Sequence, residues 1–287
     1  MNNVPTGSLS SLSGALRYID STAVRRGLAT VRECRSLSLG LPIAHGAGPV
    51  AAMRQPPQHY MLRDGADYVT ETGNQGLGLA EDVILLATHG TTHLDAFCHV
   101  FGNGVGFGGL STSEVPSSGA KQLGVETIPP LATRALVVDA VPPGRQWLDP
   151  GESISVEHIQ KSLAQVGLDP QPGDALLIRT GWVDAYYAGV ANNDAWPGLA
   201  ADCADWAIAS QFSILGADNI AVEVGPSEFP DCALPLTMRL VRDEGVLFLE
   251  LLDLRSVAGR TFEAFFTINP LRIVGGTGSP VAPMLLL

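Results

Sequence analysis

The chain has 287 residues, with 29 Asp and Glu against 17 Lys and Arg, for a formal net charge of −12. That balance, with no basic run, excludes nucleic acid and anionic membrane surfaces as default partners. Hydrophobic residues at 46% against charged residues at 16% exclude generic disorder, supply a sizeable core and point to some surface buried between subunits.

Leu12, Leu16, Ile19, Val24 and Leu28 recur at helical spacing, so residues 1–35 read as an N-terminal helical arm and 36–287 as one domain. The start lacks a basic segment followed by an apolar one, so no secretory leader is expected. No apolar run approaches the roughly 20 residues that span a bilayer. Cys34, Cys98, Cys203 and Cys232 lie far apart, which fits neither a disulfide framework nor a zinc knuckle. A soluble protein of the reducing cytoplasm is the expectation.

Residues 36–78 are rich in Gly and Pro and read as long ordered loops. Compact apolar runs predict strands at Val83–Thr88, Ala135–Asp139, Ala175–Thr180, Ile214–Ala217, Val246–Leu249 and Phe265–Ile268. Helices are predicted at Ser155–Val166, capped by Ser155 or Ser153, and at Leu199–Ser210 after the Trp196-Pro197-Gly198 turn. Gly102–Gly109 is glycine-rich, but it is neither a P-loop nor a dinucleotide fingerprint. The whole predicts one α/β domain with a mixed sheet.

Three of the six histidines fall within eleven residues, His89-Gly-Thr-Thr-His93-Leu-Asp95-Ala-Phe-Cys-His99. Imidazole and carboxylate are the usual ligands of zinc, manganese or iron. A continuous helix would put Asp95 on the far side from His89. A continuous strand would separate the two by roughly 20 Å. A strand ending at His89, a turn at Gly90 and a helix or coil from His93 would bring them together, and glycine permits that turn.

The segment resembles the H-x-G-T-H-x-D-x-x-x-H signature of the cyclase family, which includes the bacterial kynurenine formamidases and isatin hydrolases. The histidine spacing is kept while Gly and Thr are shifted. Asp95-Ala-Phe-Cys-His99-Val-Phe resembles the D-A-L-x-H-V-F form of the larger members. Arg54-Gln-Pro-Pro-Gln-His59-Tyr-Met61, Gly216-Ala-Asp218-Asn219-Ile-Ala-Val-Glu223 and Asn269-Pro-Leu-Arg-Ile-Val-Gly-Gly-Thr-Gly-Ser-Pro280 resemble further family segments. The similarity runs from about residue 40 to the C-terminus.

The resemblance implies a swivelling β/β/α-type fold with a mixed central sheet or small barrel and flanking helices. It also implies a homodimer or homotetramer and a divalent metal. It carries His89, His93 and Asp95 over as metal ligands and His99 as general base or acid. Glu250 fits the glutamate that completes a second site in two-metal members. The partnering histidine is missing, because Thr237 and Met238 stand in that region. One ion, zinc or manganese, is therefore expected, with Glu250 as an outer ligand or hydrogen-bond partner.

A metal on two histidines and an aspartate keeps open positions for water and substrate. His99, with an ordinary pKa of about 6.5, suits proton transfer in both directions. The expected reaction on a small-molecule substrate is hydrolysis of an amide or lactone, cyclic and aryl forms included. A ring-forming cyclase or dehydratase, or a non-catalytic binding protein, are the alternatives. Glu223, in the apolar Ile-Ala-Val-Glu-Val run, is either a catalytic carboxylate or the partner of an arginine. Arg54, His59 and Phe97 are candidates for substrate contact. His59 reads equally as a solvent-facing loop residue, and the aromatics Phe97, Phe101, Phe107, Trp182 and Trp196 as pocket wall or core. Cys98 lacks the surroundings of an activated thiol and reads as a packed residue.

Overall fold

The structure is a computed structural model that describes residues 13–49, 51, 53–67, 78–191 and 193–287. Its main strands, in chain order, are β1 (Ser36–Ser38), β2 (Gln58–Arg63), β3 (Glu81–Leu85), β4 (His93–Asp95), β5 (Leu131–Asp139), β6 (Ala175–Arg179), β7 (Ile214–Ala217), β8 (Leu247–Glu250), β9 (Phe262–Ile268), β10 (Gly278–Pro280) and β11 (Met284–Leu286). Nine of them form one mixed sheet in the order β1-β11-β9-β5-β6-β7-β8-β4-β10. β5 to β8 are parallel neighbours. The strands on either side of them pair antiparallel.

The parallel strands are near-continuous apolar runs because both of their faces are covered. Ala135, Val137, Leu177, Ile214 and Leu249 pack into one core layer with Phe97, Val125 and Phe266. Leu136, Val138, Leu176, Ile178, Leu215 and Phe248 alternate to the other side and meet the helices. The helices in chain order are α1 (Ser21–Leu28), α2 (Val156–Gln165), α3 (Trp182–Tyr187) and α4 (Cys203–Ala209), of which α2 and α4 pack into this layer. Ser155 caps α2 by accepting from the His158 N–H at 3.3 Å. The expected α/β fold with a mixed central sheet and flanking helices is the one found.

The arm follows its apolar rhythm only in part. Gly14–Tyr18 is a 3-10 turn, and Asp20 caps α1 by accepting from the Thr22 and Ala23 N–H groups. Leu12 lies outside the described residues. α1 packs on β5, where Gly27 lies so close to Thr133 that any side chain would overlap the strand backbone.

Two expectations are corrected. Leu199–Ser210 is not all helix: Gly198–Leu199 pairs with Ser153–Ile154 as a short parallel bridge, and α4 begins at Cys203. Val83–Thr88 is not a core strand. β3 pairs only with β2, as a two-stranded ribbon outside the main sheet, and every residue of it is exposed.

Candidate metal centre

The histidine cluster converges through two turns and one short strand. β3 ends at Leu85, and a turn closed by Gly90 N–H to Ala87 C=O at 2.8 Å carries His89 inward. His93 and Asp95 lie on β4, two residues apart and so on one face. This differs from the helix or coil expected after Gly90. β4 is tied on both sides, to β8 with Glu250 opposite His93 and to β10 with Gly278 opposite Asp95. A second turn, His99 N–H to Ala96 C=O at 3.0 Å, returns His99 to the same place.

The donor atoms crowd around one carboxylate oxygen. Asp95 Oδ1 lies 2.8 Å from His89 Nδ1, 3.5 Å from His93 Nε2 and 4.0 Å from His99 Nε2. His93 Nε2 is 3.2 Å from Glu250 Oε2. The His99 ring stacks on His89 with centroids 4.0 Å apart, and His93 meets His89 edge-on at 4.8 Å. The ligating atoms of His89, Asp95 and His99 all lie within 4.8 Å of one another.

His89 Nδ1, His93 Nε2 and Asp95 Oδ1 are buried and have no hydrogen-bond partner in this structure. The 2.8 Å approach of His89 to Asp95 has the length of a hydrogen bond without its direction. Buried polar atoms are rarely left so, because the desolvation cost of an unmade hydrogen bond is about 1–3 kcal/mol each. Three such atoms, with both imidazole nitrogens within 3.5 Å of Asp95 Oδ1, fit a divalent cation. The outer nitrogens are engaged: Thr91 C=O accepts from His93 Nδ1 at 2.7 Å, which leaves Nε2 a lone pair for a metal. Thr277 Oγ1 lies 3.2 Å from His89 Nε2.

The charges agree. Burial opposes ionisation of Asp95, but the surrounding imidazoles of His99, His89 and His93 outweigh it and hold its carboxyl below the usual carboxylate range. Burial and then the Asp95 charge push Glu250 up to about 8. Burial also pushes His93 and His99 down, against the pull of Asp95. The two acids of the pocket are thus pushed in opposite directions, Asp95 towards its anion and Glu250 towards its protonated form.

Two supporting features were hidden in the sequence. Gly278 faces the His89 imidazole so closely that a Cβ would overlap it, so only glycine leaves room for that ring. Leu251, directly after Glu250, has φ 57° and is held by Asn219 C=O accepting its N–H at 2.9 Å. A bulky residue in that conformation is strained, and here it sets where Glu250 ends the strand. Neither position carries a residue type with a chemical signature of its own.

The remaining candidates part company. Arg54 reaches the site: its Nη1 donates to the His89 backbone carbonyl at 2.6 Å, holding the ligand loop from outside. Phe97 does not line an opening. It is 3% exposed and packs on Phe107 at 5.0 Å in the core. His59 is out on the ribbon, paired with Asp82 at 2.7 Å. Glu223 is buried, but both its oxygens are occupied: Leu236 N–H donates at 3.0 Å, and Thr237 donates its N–H at 2.7 Å and its hydroxyl at 2.5 Å. It caps the Pro235–Thr237 turn that leads into the π-helix Met238–Glu244. Thr237, where a second-site histidine was sought, serves that cap. Cys98 is buried, and burial pushes its thiol up to about 11, as a packed residue requires.

A sequence model of the cyclase family, described as "Putative cyclase", matches residues 37–224. A crystal structure described as a novel cyclase is 31% identical, with 96% of this chain and 94% of that one covered and a TM-score of 0.86. Isatin hydrolase A from Labrenzia aggregata, bound to benzyl benzoate, is 18% identical over 88% of this chain and 93% of its own, with a TM-score of 0.66. A "predicted metal-dependent hydrolase" from Bacillus stearothermophilus is 19% identical over 88% and 97%, with a TM-score of 0.53. No curated protein sequence matches. The two hydrolases share the fold. The family match spans more than half of the chain and includes the whole His89–His99 cluster, so this chain belongs to the cyclase family.

Proposed function

We propose that the protein is a metal-dependent hydrolase that cleaves an amide or lactone of a small, cyclic or aryl substrate. The observation that carries this reading is the convergence of three buried, unpartnered atoms, His89 Nδ1, His93 Nε2 and Asp95 Oδ1. They would hold one zinc or manganese ion, with Glu250 beside His93 as an outer ligand. A bound divalent ion supplies Lewis acidity, polarising a carbonyl and lowering the pKa of water from 15.7 to about 7.

The chain's own residues do the rest. His99 is the one imidazole of the cluster with substantial exposure, 31% for its side chain against 9% and 0% for His89 and His93. Its ring therefore reaches the solvent side while its Nε2 stays 4.0 Å from Asp95 Oδ1. Neutral at the pH of the cytoplasm because burial lowers its pKa, it can take a proton at Nε2 from the attacking water. It then returns that proton to the leaving nitrogen or oxygen. Asp95 stabilises the imidazolium formed in between. Arg54 and Gly278 keep His89 in place and do not move protons.

Support comes from the donor set and from the hydrolases that share the fold. Four free cysteines support a reducing, cytoplasmic setting, and no helix among the described residues is long and apolar enough to cross a membrane. The test is metal analysis of the purified protein together with a turnover screen of formyl-aryl amides, isatin-like lactams and lactones. About one zinc or manganese per chain, with ring-opened or deformylated product, is expected. Absence of metal after loading with divalent ions would overturn the reading. Ring-closed or dehydrated products would move it to a biosynthetic cyclase.

A further inference from the structure

The parallel strands end on a second cleft, away from the metal centre. Asp139 closes β5 and Arg179 closes β6, at the same end of the parallel strands as Glu250 on β8. Two to three strand spacings separate them from Glu250, roughly 10–14 Å across the sheet. In open parallel sheets, ligands bind outside these carboxyl ends. The cleft measures about 1030 Å³, at the upper end of the range for small-molecule sites.

Its walls are fixed by the fold. Arg179 is 4% exposed and ties the floor together. Its Nη1 donates to Asp139 Oδ1 at 3.1 Å, and its Nη2 donates to Asp184 Oδ2 at 2.6 Å and to the Gln146 carbonyl at 2.9 Å. Leu148 N–H donates to the Thr180 carbonyl at 2.9 Å, and Gly181 lies so close to Gln146 and Trp147 that any side chain there would overlap them. The 142–147 loop is thereby pinned over the end of β6. Across the cleft, α2 presents His158, Lys161, Ser162 and Gln165, three or four residues apart and so on one face.

The polar lining is unevenly satisfied. Both lining acids, Asp139 and Asp184, bond Arg179, and Arg145 forks onto Glu152. Lys161, one of two lysines in the chain, is the lining charge with no counter-charge in contact among the described residues. The His158 ring, one turn before it, has no partner among them either. On the floor, Arg179 Nε is a buried donor without an acceptor, a condition buried polar atoms rarely keep. Between these donors the wall is apolar, with Val141, Pro142, Pro143, Trp147 and Val166.

We propose that this cleft binds a small aromatic carboxylate, with its anionic end at Lys161 and His158 and its ring against Trp147 and the two prolines. One unmatched positive charge suits one negative charge, and a second would face Asp139 and Asp184. An aromatic residue among apolar neighbours, with a few convergent donors, is the lining that flat organic ligands select.

The test is isothermal titration of the full chain with 1-naphthoate, beside the uncharged 1-naphthamide and the cationic 1-naphthylmethylammonium. Saturable binding of naphthoate with a Kd below about 1 mM is expected, and both other probes should bind at least about tenfold more weakly. Lys161→Ala should raise the naphthoate Kd at least about tenfold. So should Gln165→Glu, which gives Lys161 an acid of its own one turn further along the helix. Both positions are exposed, and circular dichroism checks that the variants fold. Lys121→Ala, at the other lysine, which pairs with Glu114 outside the cleft, should keep the wild-type Kd. Absence of saturable binding, or a wild-type Kd in both cleft variants, would overturn the proposal. Equal or tighter binding of the amide or the ammonium would overturn the anionic class of the ligand.

Discussion

Two pairs of buried carboxylates sit near the carboxyl ends of the parallel strands, and they live in opposite circumstances. Asp218, just past β7, accepts from Thr180 N–H at 2.8 Å, Thr180 Oγ1 at 2.6 Å and Gly181 N–H at 2.8 Å. Glu223, a short turn later, accepts three donors from Leu236 and Thr237. Asp95 and Glu250, on the adjoining strands β4 and β8, face imidazoles and each other instead, and Asp95 Oδ1 has no hydrogen-bond donor at all. Burial is common to all four acids, so burial does not identify the functional ones. The donors do. A buried acid that backbone N–H groups satisfy is holding the fold, while one left among unpaired lone pairs is built for a cation.

The sharpest way to break this comparison is Asp95→Asn. It keeps the shape and removes the charge that three imidazoles surround. Metal should be absent after dialysis, and turnover should fall at least about 10³-fold, because the site loses the ligand all the others share. Retention of metal at wild-type level would show that Asp95 is a structural acid like Asp218. The next effect belongs to His99→Ala, which should keep the ion and lower turnover by about 10²–10⁴-fold, the range for a lost general base. Joint loss of metal and activity would make His99 a ligand.

Metal affinity should then depend on pH through one proton. Glu250, pushed up to about 8, must give up its proton when a cation binds. His93 and His99 are pushed down by burial, so near neutrality they are already deprotonated and add no slope. Affinity measured by chelator competition should weaken about tenfold for each pH unit below 8, and Glu250→Gln should flatten that slope. A wild-type affinity independent of pH would place Glu250 outside the metal's reach.

How much of this was legible in the sequence follows from what each residue's chemistry can announce. Val137, Leu177 and Leu215 announce burial by apolar runs, and the central strands were readable, though β5 starts at Leu131, four residues before the predicted Ala135. Val83–Leu85 carries the same apolar signal, yet these residues stand exposed on a two-stranded ribbon outside the main sheet, so the strand was misplaced. His89, His93, Asp95 and His99 are readable because metal-binding residue types are rare and clustered here. Gly278, Leu251 and Thr277 support that site across the sheet, from more than 150 residues away in sequence, and carry no mark of it. Glu223 shows the reverse case. An acid in an apolar run looks catalytic until its donors, thirteen and fourteen residues further on, are placed in space.

Glu223→Gln gives the smallest effect and the finest discrimination. The carboxylate receives two N–H groups and a hydroxyl at the start of the Pro235–Thr237 turn, where an anion also meets the positive end of the helical segment that follows. Glutamine offers one oxygen and turns an NH₂ towards donors, so at least one of them is left buried and unpaired. Hydrogen bonds to a charged group contribute about 1.5–3 kcal/mol. The opposing consideration is that burial already pushes the Glu223 carboxyl upward, so part of the charge's benefit is spent on desolvation. The net loss should be about 2 kcal/mol, or some 4–8 °C in Tm for a chain of this size. Metal content should not change, and turnover well below the melting range should fall less than about tenfold. A variant with wild-type Tm and abolished turnover would return Glu223 to the reaction, and the distinction between satisfied and unsatisfied acids would lose its force.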